Sequence, residues 1–103
     1  DAKVVGFVSY GDFRDPARIA GEIFALYVLK DYYGKGVGQQ LMQAAFAALY
    51  GYQEIILWVL EDNKRAIAFY EKMGFVFDGQ EKVIDLGKAV KEKRMIYMRN
   101  SNS

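Results

Sequence analysis

The sequence predicts an α/β domain built on a mixed sheet with a central parallel strand pair and flanking helices. Three observations predict it. EIFALYVL (Glu22 to Leu29), after its first residue, and IILWVL (Ile55 to Leu60) are apolar on successive residues, the pattern of strands covered on both faces. An amphipathic helical pattern stands between them, so the two strands are expected to be parallel neighbours joined by a right-handed crossover. Shorter strand patterns at both ends make the order strand, strand, helix, strand, helix, strand, strand, with antiparallel pairs flanking the centre.

The first element is KVVGFVSY, Lys3 to Tyr10, rich in Val and aromatics. It is bounded by GDFRDPAR, which holds the only proline and reads as a hairpin loop. EIFALYVL follows. Between Val37 and Tyr50 the apolar residues Val37, Leu41, Met42, Ala45, Ala48 and Leu49 recur at spacings of three and four, while Gln39, Gln40 and Gln43 fill the other side. This is an amphipathic helix ending near Gly51. After IILWVL, Asp62 and Asn63 offer N-caps to a second helix carrying Ala66, Ile67, Phe69, Tyr70 and Met73, with Gly74 as its stop. FVFDGQ and EKRMIYMR are the last strands, with Asp78-Gly79 as the expected turn and a charged loop between them.

At 103 residues and 52% hydrophobic content the chain reads as one domain. A chain of this size buries roughly 60 to 65% of its unfolded surface. Fourteen basic against thirteen acidic residues leave a net charge of +1, which gives no reason to expect a nucleic acid or an anionic membrane as partner. The chain has no Cys, no His and no Thr, and its only serines are Ser9, Ser101 and Ser103. Thiol chemistry, disulfides, His-ligated metals and His-based triads are thereby excluded, and no metal site is expected. Any acid or base must be Glu, Asp, Tyr or Lys. A Cys-free chain without a signal-like apolar segment reads as cytoplasmic, and an initial Asp points to residues missing upstream.

The stretch YYGKGVGQQL carries glycines at 34, 36 and 38, where the first long strand hands over to a helix. Unpaired amides at a helix N-terminus carry about half a positive charge, and glycines let an anion approach them. A phosphate cradle and a merely flexible turn are both consistent with this segment alone. GKGVG is not a Walker A loop, because no Lys-Ser or Lys-Thr follows, and Gln39 stands where GxGxxG requires its third glycine.

LYVLKDYYGKGVGQQLM, followed by WVLEDNKRAIAFYEKMGFVFDG, resembles the Gcn5-related N-acetyltransferase family. The family's loop pattern falls on Tyr33, Gly36 and Gly38, and its second pattern on Asn63, Ala66, Phe69, Tyr70, Gly74 and Phe75. The resemblance implies the acyl-CoA N-acyltransferase (GNAT) fold, N-terminally truncated, since a strand, two helices and another strand normally precede the segment that opens here. It also implies acetyl-CoA as co-substrate. Leu26, Tyr27 and Val28 would meet the pantetheine arm through their main chain. Tyr33, Gly34, Lys35, Gly36, Val37, Gly38 and Gln39 would hold the pyrophosphate, and Asn63 and Phe69 would touch the cofactor. Two positions depart from the pattern: Lys30 stands where Pro is usual, and Tyr33 where Gln or Arg is usual. Lys35 is the expected substitute for that charge.

By the same resemblance Tyr70 is the general acid, since a phenol can protonate a departing thiolate. An aromatic on an apolar helix stripe is the plainer account of the residue. Glu22 matches the family's general base; expected on the same pleat face as Phe24, Leu26 and Val28, it would be strengthened as a base by burial. An exposed glutamate at a strand start is the alternative. Asn63 is equally well explained as an N-cap. With no Cys, direct transfer in a ternary complex is expected rather than a covalent acetyl-enzyme. Tyr32, Glu61 and Asp62 are expected on the acceptor side. The implied function is acetyl transfer from acetyl-CoA to a primary amine of a small molecule or peptide. The alternative is an acyl-CoA-binding or assembly module, catalytically incomplete, finished by a partner chain or a second copy.

Overall fold

The computed structural model describes residues 3–99. Its elements are β1 (Gly6–Asp12), β2 (Gly21–Val28), a 3₁₀ turn (Lys30–Tyr32), α1 (Val37–Ala48), β3 (Glu54–Leu60), α2 (Lys64–Lys72), β4 (Val76–Asp85) and β5 (Ala89–Met98). The strands form one sheet in the order β1-β2-β3-β5-β4. Only β2 and β3 run parallel; the other three pairs are antiparallel, as the pattern of the chain predicts. The first strand lies later than expected, on residues 6–12, because the hairpin continues through Gly11 and Asp12 opposite Glu22 and Gly21.

Both helices lie on one face of the sheet. Ile55, Leu57 and Val59 alternate towards that face and meet Met42, Ala45 and Leu49 of α1 and Tyr70 of α2, with Phe75 and Met95 completing the cluster. Ala20, Ile56 and Ile96 form a small second cluster on the opposite face, beneath Phe13 from the β1–β2 connection. β2 is therefore not covered on both faces along its length. Phe24 and Tyr27 remain 38% and 50% exposed.

The feature that positions the site is a bulge. Ser9 faces Ala25 while Tyr10 faces Ile23, leaving Phe24 as an extra residue in β2. A bulge bends its strand and switches the in-out alternation beyond it. Both effects are seen. Pairing with β3 covers only Gly21, Glu22 and Ile23, so from Phe24 to Val28 the β2 edge has no β3 partner. Ile23 and Leu26 both join the helix-side core although they are three residues apart. Glu22 therefore does not share a face with Leu26 and Val28, contrary to strict alternation.

The C-terminal hairpin also differs from expectation. Asp78-Gly79 is not the turn: β4 runs through it to Asp85, and the connection lies at residues 86–88. Phe77 pairs with Met95 and Glu81 with Lys93, so three residues of β4 stand opposite Arg94 alone. Gly79 takes φ +90°, which a wide bulge requires as readily as a turn does, and the Asp78 carboxylate accepts from Arg94 Nε at 2.6 Å. Beyond the bulge, Glu81–Lys91 and Lys82–Glu92 ion pairs bridge the two strands. Arg99 ties the end of α1 to the sheet by donating to the carbonyls of Phe46, Leu49 and Tyr52.

Candidate functional site

Where β2 leaves β3, the chain must still reach α1, and it does so through the 3₁₀ turn and the glycine loop. Gly34 and Gly36 take φ +75° and +82°, a region that side chains with a Cβ avoid. Gly36 is the N-cap of α1, and the Gly36 carbonyl already accepts from Gln40 N–H at 3.0 Å. The N–H groups of the first turn after it have no partner within the helix. Gly38 has a different reason: a Cβ there would stand 3.3 Å from the Phe69 ring, so its absence lets α1 and α2 approach.

We expect Gly36→Ala to cost about 1–2 kcal/mol of stability, the strain of a left-handed residue with a Cβ. Urea denaturation measures it. A stability within error of the unsubstituted chain would show that the loop relaxes out of this conformation.

A cavity of about 500 Å³ opens between this loop, the free edge of β2 and the start of α2. Leu26, Tyr27 and Val28 line one wall, Tyr33, Gly34, Gly36, Val37, Gly38 and Gln39 the floor, and Asn63, Phe69 and Tyr70 the other wall. The two segments that follow the parallel strands thus converge. Asn63 is an N-cap whose Oδ1 accepts from Ala66 N–H at 3.1 Å, and it lines the cavity as well. Tyr70 is 9% exposed, packed edge-on against Phe69 and Phe75. Burial alone pushes its phenol above the ordinary value of 10.0, so it stays protonated through neutral pH.

Lys35 does not enter the lining; its Nζ lies 5.7 Å from the centre of the Tyr32 ring. Tyr32 lines the cavity, and Glu61 pairs with Lys93 at 3.6 Å. Two lining residues, Arg65 and Ala66, have no candidate contact or catalytic role in the sequence reading. Arg65 was visible only as part of a charged helix start, and its orientation depends on packing.

A family model described as the acetyltransferase (GNAT) family matches residues 1–75. The chain belongs to the GNAT family. This GNAT chain is 32% identical over 87 residues to a spermine/spermidine N(1)-acetyltransferase of Bacillus subtilis, an alignment covering 78% of the chain and 57% of that protein. Its fold matches the crystal structure of PH1933 from Pyrococcus horikoshii with a TM-score of 0.78 at 34% identity, covering 95% of this chain and 60% of that one. It also matches a Bacillus anthracis protein assigned as a streptothricin acetyltransferase, crystallised with acetyl coenzyme A. There the TM-score is 0.77 at 25% identity, covering 93% of this chain and 56% of that one. The chain spans about half the length of the curated relatives it matches.

Glu22 stands apart from the cavity in this GNAT chain. It is almost fully buried on the opposite sheet face, in a smaller hollow with Phe13, Trp58 and Arg94. Arg14 donates to it from Nη2 at 2.7 Å, from Nε at 3.2 Å and from its backbone N at 3.3 Å. The pair is lopsided, with the Arg14 side chain 67% exposed and that of Glu22 2%. Neither an exposed strand-start glutamate nor an unpaired buried base describes it. Among the described residues, no helix is long and apolar enough to cross a membrane.

Proposed function

We propose that this chain is a single acyl-CoA-binding domain of an N-acetyltransferase that moves an acetyl group directly from acetyl-CoA to a primary amine. The observation that carries the reading is the convergence, on one cavity, of a loop of free amides, an unpaired strand edge and a buried phenol. The edge from Leu26 to Val28 offers main-chain groups in the spacing an extended amide-bearing arm needs, as in strand addition. The amides of Gly36 to Gln39 and the positive end of α1 suit a pyrophosphate. Acetyl coenzyme A in the Bacillus anthracis relative supports the same donor here.

In this reading the amine nitrogen attacks the thioester carbonyl, the tetrahedral intermediate collapses with loss of the C–S bond, and the thiolate takes its proton from Tyr70. The amine's surplus proton reaches Glu22 only through water, since that carboxylate lies on the sheet face away from the cavity. Because Arg14 already holds the Glu22 carboxylate, this role is assigned less weight in the rate than that of Tyr70. We expect Glu22→Gln to lower kcat by about tenfold, less than the roughly 10²–10⁴-fold of a fully engaged general base.

The acceptor proposed is an amine of a small molecule or peptide. Relatives carry different acceptor names, spermine/spermidine for one and streptothricin for another, which supports leaving the acceptor at the level of an amine. The deciding experiment is titration of the chain with acetyl-CoA, followed by coenzyme A release in a screen of amines, polyamines and peptide N-termini. No binding of acetyl-CoA would reject the reading.

A second reading is favoured by one observation. The face without helices exposes Phe7 and Tyr27, whose ring centres lie 5.8 Å apart, together with Phe24. On this reading the chain is a binding module completed by a partner chain or a second copy. It predicts acetyl-CoA binding without turnover, and a sedimentation coefficient above that of the monomer.

A further inference from the structure

We propose that Arg65, laid on the ring of Tyr33, is the side-chain cation for the pyrophosphate of coenzyme A; the inference rests on the acyl-CoA reading above. Among the described residues, Arg65 is the one charged side chain in the cavity lining, and no carboxylate lines the cavity with it. Among the described residues it takes part in no ion pair, whereas Arg14, Arg18 and Arg94 each hold a carboxylate. Arg99, which also holds no carboxylate, is taken up by three backbone carbonyls, whereas the Arg65 guanidinium faces a cavity floored by amides.

Local energetics do not account for it. Arg65 is the second residue of α2, and that first turn contains no acid to offset it. A cation there meets the positive end of the helix, an unfavourable place by the helix dipole. What holds it is the aromatic shelf: the guanidinium carbon lies 4.0 Å from the centre of the Tyr33 ring. Tyr33 is followed directly by Gly34, so the shelf sets the guanidinium at the mouth of the amide loop. Lys35, the cation within the glycine loop, lies beside Tyr32.

The result is two positive features facing one space: the α1 N-terminus, whose donors are neutral amides, and a planar fork of N–H groups carrying a full charge. A diphosphate bears charge on both phosphates, and a guanidinium binds such oxygens two at a time. Stacking on Tyr33 restrains the side chain before the ligand arrives, which lowers the entropy lost on binding. Tyr33 thus acts as a positioning residue and Arg65 as the group that touches the ligand.

The test is calorimetric titration of the intact chain with coenzyme A and with dephospho-coenzyme A, which lacks the 3′-phosphate and keeps the pyrophosphate. Arg65→Gln is expected to weaken both ligands by about tenfold or more, the range of a charge-assisted hydrogen bond. Its Kd should also depend less on salt than that of the unsubstituted chain. Tyr33→Leu should weaken binding by about threefold, and the double variant should bind no worse than Arg65→Gln, since the shelf acts only through the cation. Arg65→Lys should fall between, restoring charge without the fork.

A Kd for Arg65→Gln within about twofold of the unsubstituted chain overturns the assignment, because an exposed spectator charge costs no more than that. A loss seen with coenzyme A and absent with dephospho-coenzyme A also overturns it, by moving Arg65 to the 3′-phosphate. Failure of the unsubstituted chain to bind either ligand rejects the acyl-CoA reading itself and this inference with it.

Discussion

Replacing Tyr70 by Phe is expected to lower kcat for acetyl transfer by about 10²–10³-fold, the usual worth of a positioned general acid, with the Kd for acetyl-CoA nearly unchanged. The substitution removes one oxygen and keeps the ring in its place between Phe69 and Phe75. Ground-state binding should survive while protonation of the departing thiolate is lost, so the loss appears in kcat rather than in KM. Burial raises the phenol above 10.0, which makes it a weaker acid than free tyrosine but keeps it fully protonated at neutral pH.

The pH dependence follows with a definite sign. The active form is the protonated phenol, so the limb assigned to Tyr70 falls only on the alkaline side, above the ordinary value of 10.0. The folded-state value is raised, so an unfolded chain ionises this group first, and unfolding is favoured increasingly as pH rises past 10.0. Tyr70→Phe should remove that contribution and reduce the alkaline loss of stability relative to the unsubstituted chain. Single-turnover rates across pH, with urea melts alongside, check both. A kcat equal to that of the unsubstituted chain would remove Tyr70 from the acid role.

The largest effect on stability is expected from Phe75→Ala, about 3–5 kcal/mol, the range for deleting a fully buried aromatic ring. Phe75 is 1% exposed and directly follows Gly74, whose φ of +105° turns the chain out of α2 and back to the sheet. Its ring meets Phe46 of α1 at 6.0 Å, Tyr70 of α2 at 6.0 Å and Tyr97 of β5 at 5.7 Å between centres. One side chain therefore joins both helices to the sheet. Against a total stability of about 5–15 kcal/mol for a domain, such a loss leaves the fold marginal. Because Phe75 also backs Tyr70, acetyl-CoA binding should weaken along with the melting midpoint. A shift below about 1 kcal/mol, the size of a surface substitution effect, would show that the three aromatic neighbours close over the gap.

The existence and order of the elements were legible because they rest on local rules. Apolar runs, a three-to-four period and caps at Asn63 and Gly74 depend on neighbours within one or two turns, and the chain obeys them. Asp78-Gly79 shows where such rules stop. The dipeptide reports a need for positive φ at Gly79, and a turn and a wide bulge meet that need equally. The choice between them was made by β5, whose Arg94 reaches the Asp78 carboxylate across the strands.

Of the candidate site, the amino-acid sequence by itself determined the loop of glycines, the helix that follows it and the phenol at 70, in a chain without Cys or His. These are matters of residue type and spacing. Only the tertiary structure decided which groups share a space. One bulged residue, Phe24, reversed the alternation of β2 and opened its edge, placing Leu26 and Val28 with the cavity and Glu22 on the far face beneath Arg14. Packing between the start of α2 and the loop laid Arg65 on Tyr33, while Lys35 lies beside Tyr32. The physical reason is the same in each case. A side chain's direction depends on the strand or helix packed against it, and that partner lies far away along the chain.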